Sequence, residues 1–221
     1  MSRYFTADPH LFHDKVAKIR FPESNVPGAD MLRVFLDSVA HLHRGDQLWI
    51  LGDLTVGHSR DEAMALDHLE SILDSLGKDR PTLHLISGNH DTVSSIHKDG
   101  WKSQEKFRRV FSSIQDFAKM RMDGTDVLLS HFPYQSLGDG PERTTSRYNE
   151  FRLADTGFPL IHGHTHQPMK HSPTRVRIWD EWEVGPIDRK QFCVSWDAHR
   201  GLVHEKVLVE WIKTIKELEL I

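Results

Sequence analysis

Five short polar clusters, each closing an apolar run, carry much of the reactive chemistry of this 221-residue chain. They are Asp8-Pro9-His10, Gly52-Asp53, Gly88-Asn89-His90-Asp91, Ser130-His131 and Gly163-His164-Thr165-His166. The runs before them, residues 3–7, 47–51, 83–86, 126–129 and 159–161, read as buried strands. Strand ends that converge would gather two or three carboxylates and about five imidazoles around one cavity. That is too many oxygen and nitrogen ligands for one divalent ion, and it suits two.

Within each cluster the residue types narrow the chemistry. In Asp8-Pro9-His10 the proline fixes the backbone, so side chains at i and i+2 can both turn toward one ion. Gly52 permits a sharp bend. The Asp53 carboxylate after it has two oxygens, enough to bridge ions held about 3.5–4 Å apart. Asn89 offers a neutral amide oxygen, while His90 beside it points elsewhere and is free for proton transfer. Asp91 either hydrogen-bonds that imidazole, raising its pKa and keeping it protonated, or caps a helix. Phe132-Pro133 ends the strand after His131 and leaves its imidazole at the strand mouth. In Gly163-His164-Thr165-His166 two imidazoles at i and i+2 can each reach a different ion; His162, alternating with His164, is expected to face away.

Helical periods separate these strands. Met31, Leu32, Phe35, Leu36, Val39 and Leu42 mark a helix over 30–43, and Ala65, Leu69, Ile72, Leu73 and Leu76 another over 60–76. Ser59 with Glu62 reads as a capping box for the second, and Gly77 as its left-handed C-terminal residue. Trp101, Phe107, Val110, Phe111 and Ile114 predict a third helix over about 101–117. After residue 166 come short strands at 176–179, 192–196 and 202–208, with turn signals at Gly185-Pro186 and His199-Arg200-Gly201, then a helix over about 209–219. Alternation followed by a meander predicts a layered α/β sandwich in one domain, residues 1–221. Residues 137–157 read as a long loop placed to hang over the site. Its Arg143, Arg147 and Arg152 are either clamps on a phosphate or nucleobase, or solvated loop residues.

Composition bounds the partners. Net charge is −4 with histidine neutral, and no Lys/Arg run exceeds the pair Arg108-Arg109. The basic stripe that grips long nucleic acid is therefore missing, which disfavours an extended polymer but not a small nucleotide. Cys193 is the single cysteine, so no intrachain disulfide forms and a reducing compartment is suitable. No stretch has the length of a membrane span, and Met1-Ser2-Arg3-Tyr4 lacks a signal peptide's apolar region, so a cytoplasmic location is expected.

Taken in order, Asp-x-His, Gly-Asp, Gly-Asn-His-Asp, His and Gly-His-Thr-His resemble the motif series of the calcineurin-like metallophosphoesterase superfamily, in particular its compact bacterial and phage-encoded members. The motifs run from residue 8 to residue 166. The resemblance implies a four-layer αββα sandwich with mixed sheets and a site at the strand ends. It implies that Asp8, His10 and His166 hold a first ion and Asn89, His131 and His164 a second. Asp53 then bridges, and His90 protonates the leaving oxygen. Two dications, two carboxylates and a bridging hydroxide leave such a site positive by about one unit, so it attracts a phosphate ester whose phosphorus the hydroxide attacks in line. Imidazole-rich ligation favours Mn²⁺, Fe²⁺, Ni²⁺ or Zn²⁺ over Mg²⁺ alone, Mn²⁺ first among them.

Departures from the family's branches narrow the substrate. Gly52-Asp53-Leu54-Thr55-Val56-Gly57 lacks the Asp-Arg pair of the protein phosphatases, and Val56 stands where purple acid phosphatases place a tyrosine ligand. The expected activity is a phosphodiesterase acting on small nucleotide-type esters, including cyclic ones. The alternatives are a phosphomonoesterase, an end-processing nuclease and a non-catalytic interaction module; all seven candidate ligand positions hold suitable residue types, which weighs against the last.

Overall fold

β1 (Arg3–Thr6), β2 (Gln47–Ile50), β3 (Thr82–Ile86) and β4 (Ser113–Gln115) run parallel in one sheet, with β11 (Val203–His204) antiparallel at its edge. A second sheet has the order β10 (Gln191–Cys193), β7 (Leu160–His162), β6 (Thr125–Ser130), β5 (Phe117–Met122), parallel except for the β5–β6 pair. β8 (Pro173–Ile178) and β9 (Glu181–Ile187) form a separate antiparallel pair. The computed structural model describes residues 2–135, 139, 147–166, 168, 170, 173–178, 181–187 and 189–221, with 173–178 and 181–187 as backbone only.

Alternation along β2 builds both halves of the core. Leu48 and Ile50 join Phe35, Val39, Leu66 and Leu69 beneath α2 (Pro27–Ala40) and α3 (Ser59–Leu76). Trp49 and Leu51, on the opposite face, join Val127, Leu129, Ile161 and Phe192 of the second sheet. α6 (Glu205–Glu217) adds Leu208, Trp211, Ile212 and Ile215 to that inter-sheet cluster. The result is the layered α/β sandwich with two mixed sheets that the sequence predicts.

The two sheets meet at one rim. Ala7 N donates to Val194 O at 3.0 Å and Trp196 N to Ala7 O at 2.9 Å, which joins the end of β1 in parallel to the segment after β10. β1, β2, β3, β6, β7 and β10 therefore all point the same way, and their C-terminal ends share that rim. This is where the five polar clusters lie.

Several expected elements differ, for identifiable reasons. The third helix is a 3₁₀ turn (Gly100–Ser103) and a short α4 (Gln104–Arg108), because Ser112 N donates to Leu83 O at 2.8 Å and the chain then extends along β3 as β4. The strand expected over 202–208 stops after β11, where His204 Nδ1 accepts from Lys206 N at 3.0 Å and starts α6. The strand expected over 192–196 ends at Cys193, and α5 (Trp196–His199) begins. Gly185-Pro186 lies inside β9 rather than in a turn, in a two-stranded ribbon where proline is tolerated. Trp179 falls outside the described residues. α1 (Asp14–Arg20) is an element the sequence reading did not predict.

The capping box at Ser59 does not form either. His58 occupies the N-cap without a side-chain bond. Glu62 is instead fully buried and accepts from Thr92 N at 2.9 Å and Thr92 Oγ1 at 2.6 Å, with Lys106 paired to the same carboxylate. It ties α3 to the residue after Asp91. Hydrogen bonds to a charged acceptor are worth about 1.5–3 kcal/mol each, so Glu62→Ala should lower stability by about 3 kcal/mol in urea unfolding.

Candidate metal centre

The turns that follow the strands hold each other in place. Asp8 N donates to Gly52 O at 3.0 Å, His10 N to Asp53 O at 3.1 Å, and Gly163 N to His131 O at 3.0 Å. Five of the seven expected ligands sit at left-handed backbone angles: Asp8 at φ 55°, His10 at 48°, Asp53 at 57°, His164 at 71° and His166 at 50°. Each such non-glycine residue costs about 1–3 kcal/mol, which the interlocking turns offset. Gly52 and Gly88 are required by close approach: a Cβ on Gly52 would run into the His131 ring and the Gly88 backbone, and one on Gly88 into the Asp53 carboxylate.

Two groups of side chains converge at this rim. In the first, His10 Nε2 lies 3.0 Å from His166 Nε2, and Asp8 Oδ1 lies 3.9 Å from the same His166 atom. In the second, His131 Nε2 lies 3.2 Å from His164 Nδ1, 3.4 Å from Asp53 Oδ2 and 3.3 Å from Asn89 Oδ1. Asp53 Oδ2 is also 3.6 Å from His10 Nε2, so one carboxylate oxygen stands between the groups. Its other oxygen accepts from His90 N at 2.8 Å. All seven side chains expected to meet do so, and His162 lies outside both groups, buried against Gly163 O.

The outer hydrogen bonds decide which nitrogen faces inward. His131 Nδ1 donates to Leu51 O at 2.8 Å, which leaves Nε2 bare. His164 directs Nε2 to Asp139 Oδ2 at a long 3.4 Å, leaving Nδ1 bare. The facing nitrogens of His131 and His164 are therefore both acceptors at 3.2 Å, an arrangement that repels unless a cation lies between them. Ligand atoms about 2.0–2.2 Å from one ion are themselves about 3.0–3.5 Å apart, the spacing between His10 and His166 and from His131 to each of its three neighbours. Burial drives His10 and His131 below the ordinary imidazole pKa and His164 down to about 3, so all three are neutral donors. Burial, with Asp8 and Asp91 nearby, raises the Asp53 carboxyl well above the usual range; positive charge would relieve that crowding. The donor set thus fits a pair of divalent ions.

Asp91 and His90 depart from expectation. The Asp91 carboxylate neither contacts the His90 ring nor caps a helix. It is buried and accepts from Asp53 N at 2.9 Å, Leu54 N at 3.0 Å and Gly88 N at 2.8 Å, pinning the turn that carries Asp53. Burial, then the nearby His131, lowers the His90 pKa rather than raising it, although a backbone bond with Val56 opposes the shift. The His90 ring lies 5.4 Å from the His10 ring, centroid to centroid. It lines a cavity of about 430 Å³ together with Asn89, Thr92, His97 and Ser103.

The arginines of the 137–157 segment are also reassigned. Arg147 and Arg152 both engage Asp139, so neither is a free clamp; Arg152 is buried, Arg147 is exposed as a solvated loop residue is, and Arg143 lies outside the described residues. Reasoning from sequence missed Asp139, Asp197 and Arg20. Asp197 had a legible signal: it follows the apolar run Phe192-Cys193-Val194 much as Asp8 follows β1.

Comparison with known proteins agrees with this geometry. Residues 6–180 match the family model described as the calcineurin-like phosphoesterase superfamily domain. The chain is 34% identical to the Gene 66 protein of Mycobacterium phage L5, over 98% of this chain and 96% of that one. It is 32% identical to the Gene 66 protein of Mycobacterium phage D29, over 90% and 98% respectively. The solved structure of a protein of unknown function from Aquifex aeolicus shares the fold, with a TM-score of 0.60 at 22% identity, covering 95% of this chain and 98% of that one. On the family match and the phage relatives, this chain belongs to the calcineurin-like phosphoesterase superfamily.

Proposed function

We propose that the chain is a dinuclear phosphodiesterase for small nucleotide-type esters, cyclic nucleotides included. Family membership already makes it a metal-dependent phosphoester hydrolase; the proposal concerns the ligand roles, the metal and the substrate. Asp8, His10 and His166 would hold one ion and Asn89, His131 and His164 the other, with Asp53 Oδ2 shared, and Mn²⁺ is the favoured metal. The observation that carries the reading is the pair of bare imidazole nitrogens 3.2 Å apart beside that shared oxygen. When bound, the ions supply charge that draws in and polarises the phosphate and lowers the pKa of water.

The chain's own residues supply the rest. His90, neutral in the free protein, borders the cavity that would receive the leaving group. A bound phosphate anion beside it favours the imidazolium and so returns its pKa toward neutrality, which lets the ring donate a proton to the leaving oxygen. Thr92, His97 and Ser103 give that cavity polar groups among its apolar surface, in keeping with a hydroxylated leaving group. Net charge of −4 supports a small ester over a nucleic-acid polymer. A cytoplasmic site of action fits the lone buried Cys193. Among the described residues no helix is long and apolar enough to cross a membrane.

A panel of phosphomonoesters, linear diesters and cyclic nucleotides assayed with Mn²⁺ tests the substrate assignment. Higher kcat/KM on diesters than on the matching monoesters is expected. A preference for monoesters would replace the diesterase reading, and activity confined to oligonucleotides and falling steeply with salt would replace it with a nuclease.

A further inference from the structure

Each histidine of the Gly163–His166 turn rests on a buried or half-buried aspartate that is itself gripped by arginine. His166 Nδ1 lies 2.7 Å from Asp197 Oδ2, and His164 Nε2 lies 3.4 Å from Asp139 Oδ2. The two rings therefore present opposite nitrogens inward, Nε2 from His166 and Nδ1 from His164. A neutral imidazole has one bare nitrogen, and the partner of the other nitrogen decides which.

Both aspartates are fixed from behind. Arg20 donates Nε and Nη2 to Asp197 at 2.9 and 2.8 Å. The same guanidinium donates Nη1 to Pro9 O at 2.7 Å and Nη2 to Asp8 O at 2.8 Å, so it grips the Asp8–His10 turn as well. Asp139 pairs with Arg152 and accepts from Arg147 Nε at 3.0 Å and Arg147 N at 3.2 Å. Each carboxylate is thus held between a guanidinium on one side and an imidazole on the other. Asp197 belongs to α5 and Asp139 to the segment after β6, and the hydrogen-bond partners described for each are different.

We propose that Asp197 and Asp139 are positioning residues, each setting the nitrogen that one histidine offers to one cation site, so that the two sites are tuned separately. This rests on the metal-pair reading above. Asp197 governs the site of Asp8, His10 and His166; Asp139 governs that of Asn89, His131 and His164. The shorter contact makes Asp197 the stronger determinant.

The test is Mn²⁺ binding by calorimetry, with site occupancies from anomalous scattering of crystals equilibrated at limiting Mn²⁺. Loss of an outer-shell partner typically weakens a metal site about 10–100-fold. Asp197→Asn should do so at the His166 site while leaving the His164 site within about threefold. Asp139→Asn should show the reverse pattern with a smaller loss. Should Asp197→Asn fail to fold, Asp197→Glu keeps the charge, displaces the oxygen and should give a partial loss at the same site. Equal weakening of both sites, or of neither, in variants that melt like the wild type would overturn the assignment. No Mn²⁺ bound by the wild type would instead remove the metal-pair reading, and this inference with it.

Discussion

Asp53→Asn should leave a folded protein that no longer holds either ion at stoichiometric Mn²⁺. The oxygen lost is the one that stands 3.6 Å from His10 Nε2 and 3.4 Å from His131 Nε2. An amide can keep its bond from His90 N, but turned that way it presents hydrogens to both groups. Removing an outer-shell partner already costs about 10–100-fold in affinity, so a shared inner ligand should cost more than about 100-fold at each site. Metal analysis after gel filtration reads this directly. Loss of one ion alone would show that Asp53 does not bridge.

Stability separates that result from simple unfolding. In the wild type, Asp53 is crowded by burial and by the Asp8 and Asp91 carboxylates. Neutralising it should leave the metal-free protein as stable as the wild type, or more so. Added Mn²⁺ should raise the Tm of the wild type and not that of the variant, since only a state that binds is stabilised.

The second large effect concerns His90. His90→Gln should keep both ions yet lower turnover about 10²–10⁴-fold on esters with poor leaving groups, the range a positioned general acid contributes. Nitrophenyl esters, whose leaving group needs little protonation, should lose far less. Equal losses on both substrates would contradict the acid role and point to substrate positioning. Because burial lowers its pKa, the ring must gain its proton in the presence of bound phosphate. The alkaline limb of kcat/KM, along which the free enzyme's acid loses its proton, should therefore fall at a lower pH than an ordinary imidazole would give.

Much of this site was legible because strand ends are local. An apolar run followed by Asp, Asn or His shows both the element and the rim at which the side chain emerges, so Asp8, Asp53, Asn89, His131 and His164 could be grouped before any fold was known. The supporting shell was less legible, because it depends on contacts over long separations. Arg20 lies 177 residues from Asp197, in a helix the periodicity did not suggest, and Asp139 comes from a loop with no pattern of its own. The sequence offers Asp91 either to the neighbouring imidazole or to a helix N-cap, yet three backbone N–H groups of Gly88 and the Asp53 turn claim its carboxylate. The same competition undid the capping box, where Thr92 drew Glu62 away from its helix terminus. Local pairing rules failed wherever a distant backbone group offered a buried carboxylate a better partner.

The most direct measurement is an anomalous difference map from crystals of the unaltered protein saturated with Mn²⁺. Two peaks about 3.5–4 Å apart are predicted, with the Asp53 carboxylate touching both. A single peak, or two that share no ligand, would contradict the account at its centre.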